Sequence, residues 1–320
     1  MSATSLPFRA FAGCSGLTSL ALPDTLTAVA DQVFSRCSGI TSLKLPNTWI
    51  SITESTFYHC SGITSLTLPE KLTSVSFYAF ENGASLASLT IPNTVTQIQD
   101  GAFSGCNKLT SLTLPEILTA IEYGVFNGCH NLTALVLPNT VRRKEGSAFQ
   151  YCYALTSLTL PSSLTNIGSE SFKGCFYLSS LSIPETVTEI GSYAFQYGRY
   201  FTCVTLPSDL TSAKNGLFYQ CRRLTSVILP DTLTQIGFGA FYDCRSLTSI
   251  GRFAFAKCSG LTALRLPNSL TGVKQRAFAK CTQLTSVMFQ PRGTSPAFIA
   301  GPGMQQQARQ LPAHQRQAVA

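Results

Sequence analysis

The stretch CSGLTSLALPDTLTAVAD, from Cys14 to Asp31, is the unit on which the chain is built. Proline repeats it at a step of 23, at Pro23, Pro46, Pro69, Pro92, Pro115, Pro138, Pro161, Pro184, Pro207 and Pro230. Phenylalanine keeps the same time from Phe11 and Phe34 through to Phe218 and Phe241. Cysteine follows three residues later, from Cys14 and Cys37 to Cys221 and Cys244. A fixed period of this length is the mark of a stacked repeat array, so the fold class is a repeat solenoid.

Local chemistry gives each part of the coil a shape. In Leu20-Ala21-Leu22 the outer side chains share one face and the middle one points away, the period of a strand. Copies stacked at about 4.8 Å form a parallel β-sheet whose backbone bonds run from coil to coil. Proline supplies no N–H and suits the strand end. The segment Leu26-Thr27-Ala28-Val29 alternates again and predicts a short second ladder. The Ala-Phe-x-x-Cys segment reads as a short helical turn, because Phe and Cys three apart share a side. One coil cannot bury these residues, whereas stacked coils can.

The phrase L-T-S-L-x-L-P-x-x-L-T-x-I-G-x-x-A-F-x-x-C-x-x resembles the BspA-like, or Treponema pallidum-type, leucine-rich repeat. Leu17, Leu20, Leu22, Pro23, Leu26, Val29, Val33, Phe34 and Cys37 carry the resemblance, which extends over residues 8–289. It implies a right-handed superhelix that binds other macromolecules, often at microbial surfaces, and it implies no catalytic site.

Composition narrows the classes. Charged residues make up 12% of the 320, about half the usual share, and Ser and Thr fill the outward positions. No apolar run reaches the length of a membrane span. The opening MSATSLPFRAFAG lacks the basic-then-apolar order of a signal peptide. With free thiols this favours a cytoplasmic location over the cell surface, and the compartment stays open. Eleven of the 12 cysteines keep the repeat phase. Stacked thiols point in parallel, and Gly83 and Gly198 interrupt the column, so buried free thiols fit better than disulfides. No clustered C-x-x-C spacing suggests a metal. No cofactor motif is present.

Solenoid coils are expected over residues 1–290, about 12 or 13 of them. The Cys244-to-Cys258 interval is 14 instead of 23. There Leu247-Thr248-Ser249-Ile250 reads as a long strand running straight into Gly251, leaving a joint around Ile250 to Arg252. Residues 291–320, rich in Gln, Pro, Gly and Ala, read as a disordered tail. The first coil, near Phe8, Phe11 and Leu17, has no polar cap, which makes end-to-end self-association possible. Lys144 takes a position held elsewhere by Ile121 and Ile167. Its head is expected to snorkel outward, or the backbone to shift, with an anion site as the functional alternative.

Chemistry is sparse. His59, His130 and His314 match no catalytic triad, zinc helix or phosphate loop, so no enzyme activity is expected. Binding is the better reading. Around the turn after each Cys gather Tyr151, Tyr153, Phe176, Tyr177, Tyr197 and Tyr200, followed by Arg199, Arg222, Arg223 and Arg245. Tyr and Arg side by side are the types enriched in binding hot spots. Residues 1–198 carry 9 Lys+Arg and 12 Asp+Glu, whereas residues 199–290 carry 11 and 3. A protein or an acidic macromolecule is therefore the expected partner, with no specific nucleic acid and no membrane span. It would be held on this aromatic and arginine rim or on the exposed middle row of the long strands. Cys203, out of phase, is a candidate exposed thiol beside that row. An adhesion fragment whose secretion signal lies outside the chain is the runner-up. Threonine pairs such as Thr94-Val95-Thr96 leave an ice-binding solenoid as a minor alternative.

Overall fold

The computed structural model describes residues 4–228 without a break and scattered residues beyond them as far as 290. Arg245, Arg252, Lys257, Cys258, Lys280, Cys281, residue 251 of the joint and the 291–320 tail lie outside the described residues.

Two parallel ladders run along the array. The long ladder uses three-residue strands such as Ser42–Lys44, Ser65–Thr67, Ser88–Thr90 and Ser111–Thr113. Register is 23 throughout, as in Leu43↔Leu66 and Leu135↔Leu158. The middle leucine is buried between two exposed residues, and Leu45 beyond it is buried again. The period-two pattern therefore sets which face is core. Two-residue strands such as Ser51–Ile52, Ser74–Val75 and Gln97–Ile98 form the short ladder.

Between the short ladder and the cysteine the chain does not form a helical turn. Among the described residues each coil from Arg9 to Gln220 holds two residues in the left-handed region there, for example Gln32 at φ 59° and Arg36 at φ 63°, which breaks right-handed winding. Backbone donors alternate instead. Ser35 and Cys37 N–H bond three residues back, to Gln32 and Phe34, while Phe34 N–H reaches Thr56 in the next coil. Consecutive β-turns place Phe and Cys on one side as a helix would, which is why spacing alone misassigned the element.

The core is a set of columns. Phe11 to Phe241 stack ring on ring, with centroids 5.3–6.0 Å apart and planes within 20° of parallel. Beside them the thiols of Cys37, Cys60, Cys106, Cys129, Cys152, Cys175, Cys221 and Cys244 each donate to the carbonyl of the Phe 26 residues earlier, at 2.9–3.2 Å. The thiol is thus an apolar filler that also satisfies a buried acceptor. Burial pushes these thiols up, to about 12 at Cys60, Cys106, Cys175 and Cys221.

Lys144 corrects the expectation of a snorkelling side chain. Its backbone keeps ladder register between Ile121 and Ile167, and its side chain is 0% exposed with Nζ unpartnered. Nζ sits 3.8 Å from the Phe172 ring centre and 4.9 Å from that of Phe149. Strand pairing on both sides holds the stem inward. Nothing soluble reaches the amine, so the anion-site alternative fails.

At the shortened coil Ser249–Ile250 lies beside the long strand Ser226–Ile228, as expected, and also joins the short ladder. Ser249–Ile250 pairs with Gly272–Val273, which belongs to a Leu-Thr-x-Val segment of the short ladder. Leu247-Thr248-Ser249-Ile250 followed by Gly251 fits the Leu-Thr-x-Ile-Gly phrase as well as it fits the long strand. The later long strands, Ala263–Pro267 and Ser286–Gln290, pair with each other.

Candidate functional site

The turn after each cysteine leads into the long strand, and its first two residues form two rows, the rings of the first half-buried and those of the second exposed. Stacking repeats each position on the next coil, so a side chain meets the residue 23 away. In the first row His130 stacks on Tyr153 at 4.5 Å, Tyr153 on Phe176 at 4.7 Å, and the Arg199 guanidinium lies 4.3 Å above Phe176. In the second row Tyr177 stacks on Tyr200 at 5.1 Å, and Arg223 lies 4.4 Å above Tyr200. Backbone bonds from Ala154 N–H to His130, from Tyr177 to Tyr153 and from Tyr200 to Phe176 lock the rows together.

Most of the expected rim residues therefore come together, and Arg245 lies outside the described residues. Tyr177 and Tyr200 are 53% and 37% exposed. Tyr151 and Tyr197 stand just before the cysteine position, half-buried, with Tyr151 tilted against Tyr153 and Tyr197 edge-on to Tyr219. Arg222 follows Arg199 in the first row, but its Nε pairs with Asp243 Oδ2 at 3.0 Å. His130 is the member that the sequence reading left aside as an isolated histidine. Its phase, one residue after Cys129, is the signal that places it in the row.

Local packing explains why the rim is firm here. Gly198 stands where other coils carry cysteine, and Phe201 replaces the usual leucine. A Cβ at Gly198 would lie 3.3 Å from Phe201 Cβ and 3.4 Å from Cys221 Sγ. Phe201, stacked on Phe195 at 5.5 Å, occupies the room the missing thiol leaves.

The other candidate surfaces are less distinctive. The outward residue between the two buried aliphatic residues of each long strand, from Thr67 and Thr90 to Thr205, is exposed and mostly Ser or Thr, with Val136 77% exposed. Cys203 is exposed beside that row, and Cys14 is exposed near the start of the array. The threonines of the ice-binding alternative are already used as donors. Thr94 and Thr186 bond to the carbonyls of Leu72 and Leu164, and Thr27, Thr96 and Thr188 to those of Thr4, Thr73 and Thr165. Among the described residues no group of three or more His, Cys, Asp or Glu could hold a metal, and no helix is long and apolar enough to cross a membrane. His59 faces Asn82 Nδ2 at 3.1 Å, one coil away.

The model of the BspA-type leucine-rich repeat region matches residues 1–109, 73–199, 145–250 and 245–295. The chain belongs to that family. A leucine-rich repeat protein from Bacteroides ovatus is similar at 28% identity and a TM-score of 0.68, over 89% of this chain and 82% of that one. A leucine-rich cell surface protein from Faecalibacterium prausnitzii is 27% identical, with a TM-score of 0.52 over 86% and 80% of the two chains. The Treponema pallidum leucine-rich repeat protein is 30% identical, with a TM-score of 0.51 over 57% of this chain and 86% of that one. A search of the curated proteins finds no match. The leucine-rich repeat array is a general protein-interaction fold, and this chain presents it in the BspA-type form.

Proposed function

We propose that this chain is a non-catalytic binding module that holds an acidic macromolecule, a protein or a glycan, along the rim from His130 to Arg223. The observation that carries the reading is the pair of surface stacks, one half-buried and one exposed, each aromatic at one end and capped by an arginine. Burying pre-stacked rings costs little side-chain entropy, because their rotamers are already held by neighbours. The long-strand face supports binding less well, since from Thr67 to Thr205 it offers small hydroxyl and apolar side chains and no cation.

Immobilised full chain should capture a partner that a Tyr153→Ala/Phe176→Ala/Tyr200→Ala variant loses, while a Thr90→Arg/Thr113→Arg variant of the strand face retains it. The reverse pattern would move the site to the strand face. Adhesion at a cell surface is the second reading, favoured by the cell surface protein from Faecalibacterium prausnitzii. Protease shaving of intact cells that removes the chain would support it, and full protection would exclude it.

A further inference from the structure

Resting on the rim reading, we propose that Arg199 and Arg223 form a two-point clamp for the carboxylates of an extended acidic polypeptide, with Arg222 a spectator.

The stacks constrain what the rim can recognise. Tyr153 and Phe176 have both ring faces occupied, by His130, by each other and by Arg199. Tyr200 is similarly covered by Tyr177 and Arg223. No base or sugar can slide between them. What they show to solvent is ring edges, which carry the positive part of the aromatic quadrupole, and tyrosine hydroxyls. Edges of this kind favour an anion over a flat apolar ligand.

The three arginines are not equivalent. The Arg222 charge is engaged by Asp243. Arg199 and Arg223 are exposed, and neither forms an ion pair with a described acidic group. Each guanidinium is held over a ring, at 4.3 Å and 4.4 Å from its centre, so its position is restricted while its N–H groups can still meet a carboxylate. Their backbones are one coil and one residue apart, about 4.8 Å by about 3.8 Å, or roughly 6 Å overall. Side chains at i and i+2 of an extended polypeptide lie on one face roughly 6.5–7 Å apart. A Glu-x-Glu segment therefore matches the pair.

The test uses the full chain and a fluorescein-labelled twelve-residue peptide with glutamate at alternate positions, read by anisotropy at low salt. Its glutamine counterpart and a sulfated oligosaccharide serve as comparisons. Binding of the glutamate peptide should fall roughly tenfold or more in each of Arg199→Glu and Arg223→Glu, and less than about threefold in Arg222→Glu. Arg199→Lys should recover only part of the loss, since lysine keeps the charge without the planar fork. Equal losses at all three arginines would overturn the clamp, as would no binding of the glutamate peptide or tighter binding of the oligosaccharide. Failure of the rim itself looks different, with Tyr153→Ala and Phe176→Ala also leaving partner capture unchanged. If those two weaken capture and Arg199→Glu and Arg223→Glu do not, the rim stands and the clamp falls.

Discussion

Lys144 Nζ lies 3.8 Å from the centre of the Phe172 ring with no hydrogen-bond acceptor, deep in the core. Burial holds this amine well below its ordinary value, so between the folded value and 10.5 the unfolded chain binds the extra proton. Stability from this site therefore rises with pH toward 10.5, the unfolded value, by up to about 1.4 kcal/mol per unit. Lys144→Met should stabilise the chain at pH 7 by about 1–4 kcal/mol. The difference from wild type should shrink in urea titrations as pH rises toward 10.5. A constant difference would show that the amine stays charged.

The thiol column works with the opposite sign. Folded values near 12 at Cys60, Cys106, Cys175 and Cys221 lie above the ordinary 9.0. The protonated thiols contribute fully below pH 9, and their contribution is lost as pH rises toward 12. Circular dichroism should show cooperative unfolding beginning just above pH 9. At pH 8, a thiol reagent should label Cys14 and Cys203 at least a hundredfold faster than Cys106 or Cys152.

Gly198 and Phe201 should behave as a pair. Gly198→Cys alone overpacks the space that Phe201 fills and should cost about 1–3 kcal/mol. The double variant Gly198→Cys/Phe201→Leu restores the usual coil and should regain most of that, measured as non-additivity in thermal or urea unfolding. Additive costs would mean the two side chains do not share the space.

Capture of the natural partner should weaken with ionic strength, because the rim arginines are exposed and screened. Raising salt from 50 to 500 mM should reduce capture severalfold. Insensitivity to salt would assign the binding to the ring edges alone.

Much of the array was legible because its strongest signals are periodic. Pro, Phe, Cys and the alternating Leu positions mark the two ladders and the columns directly. The turn segment was misread because Phe34 and Cys37 satisfy a three-residue spacing in either a helix or consecutive β-turns. Only the left-handed residues separate the two, and Gln32 and Arg36 do not advertise that conformation. A subtler signal went unused. A Cβ at Gly101, Gly174 or Gly216 would lie 2.1–2.6 Å from the ring of Tyr78, Tyr151 or Tyr193, each 23 residues earlier. Tyrosine followed one period later by glycine thus reports a ring lying over the next coil. The rim was readable as composition, but its division into two stacks needed the neighbours of His130 and Tyr177. The Arg222–Asp243 pair needed coordinates, because 21 residues is not the period.

The phenylalanine column bears on what sets the coil spacing. Hydrogen bonding holds neighbouring long strands about 4.8 Å apart, whereas the rings are 5.3–6.0 Å apart. The larger figure includes a sideways slip, since near-parallel rings of one phase lie offset over one another. Backbone bonds such as Phe34 N–H to Thr56 and Phe57 N–H to Ala79 tie the ring side of each coil to the next, as the ladders tie the strand side. The ring column thus follows the coil spacing and does not set it, so replacing successive phenylalanines by leucine should lower stability without altering the strand register.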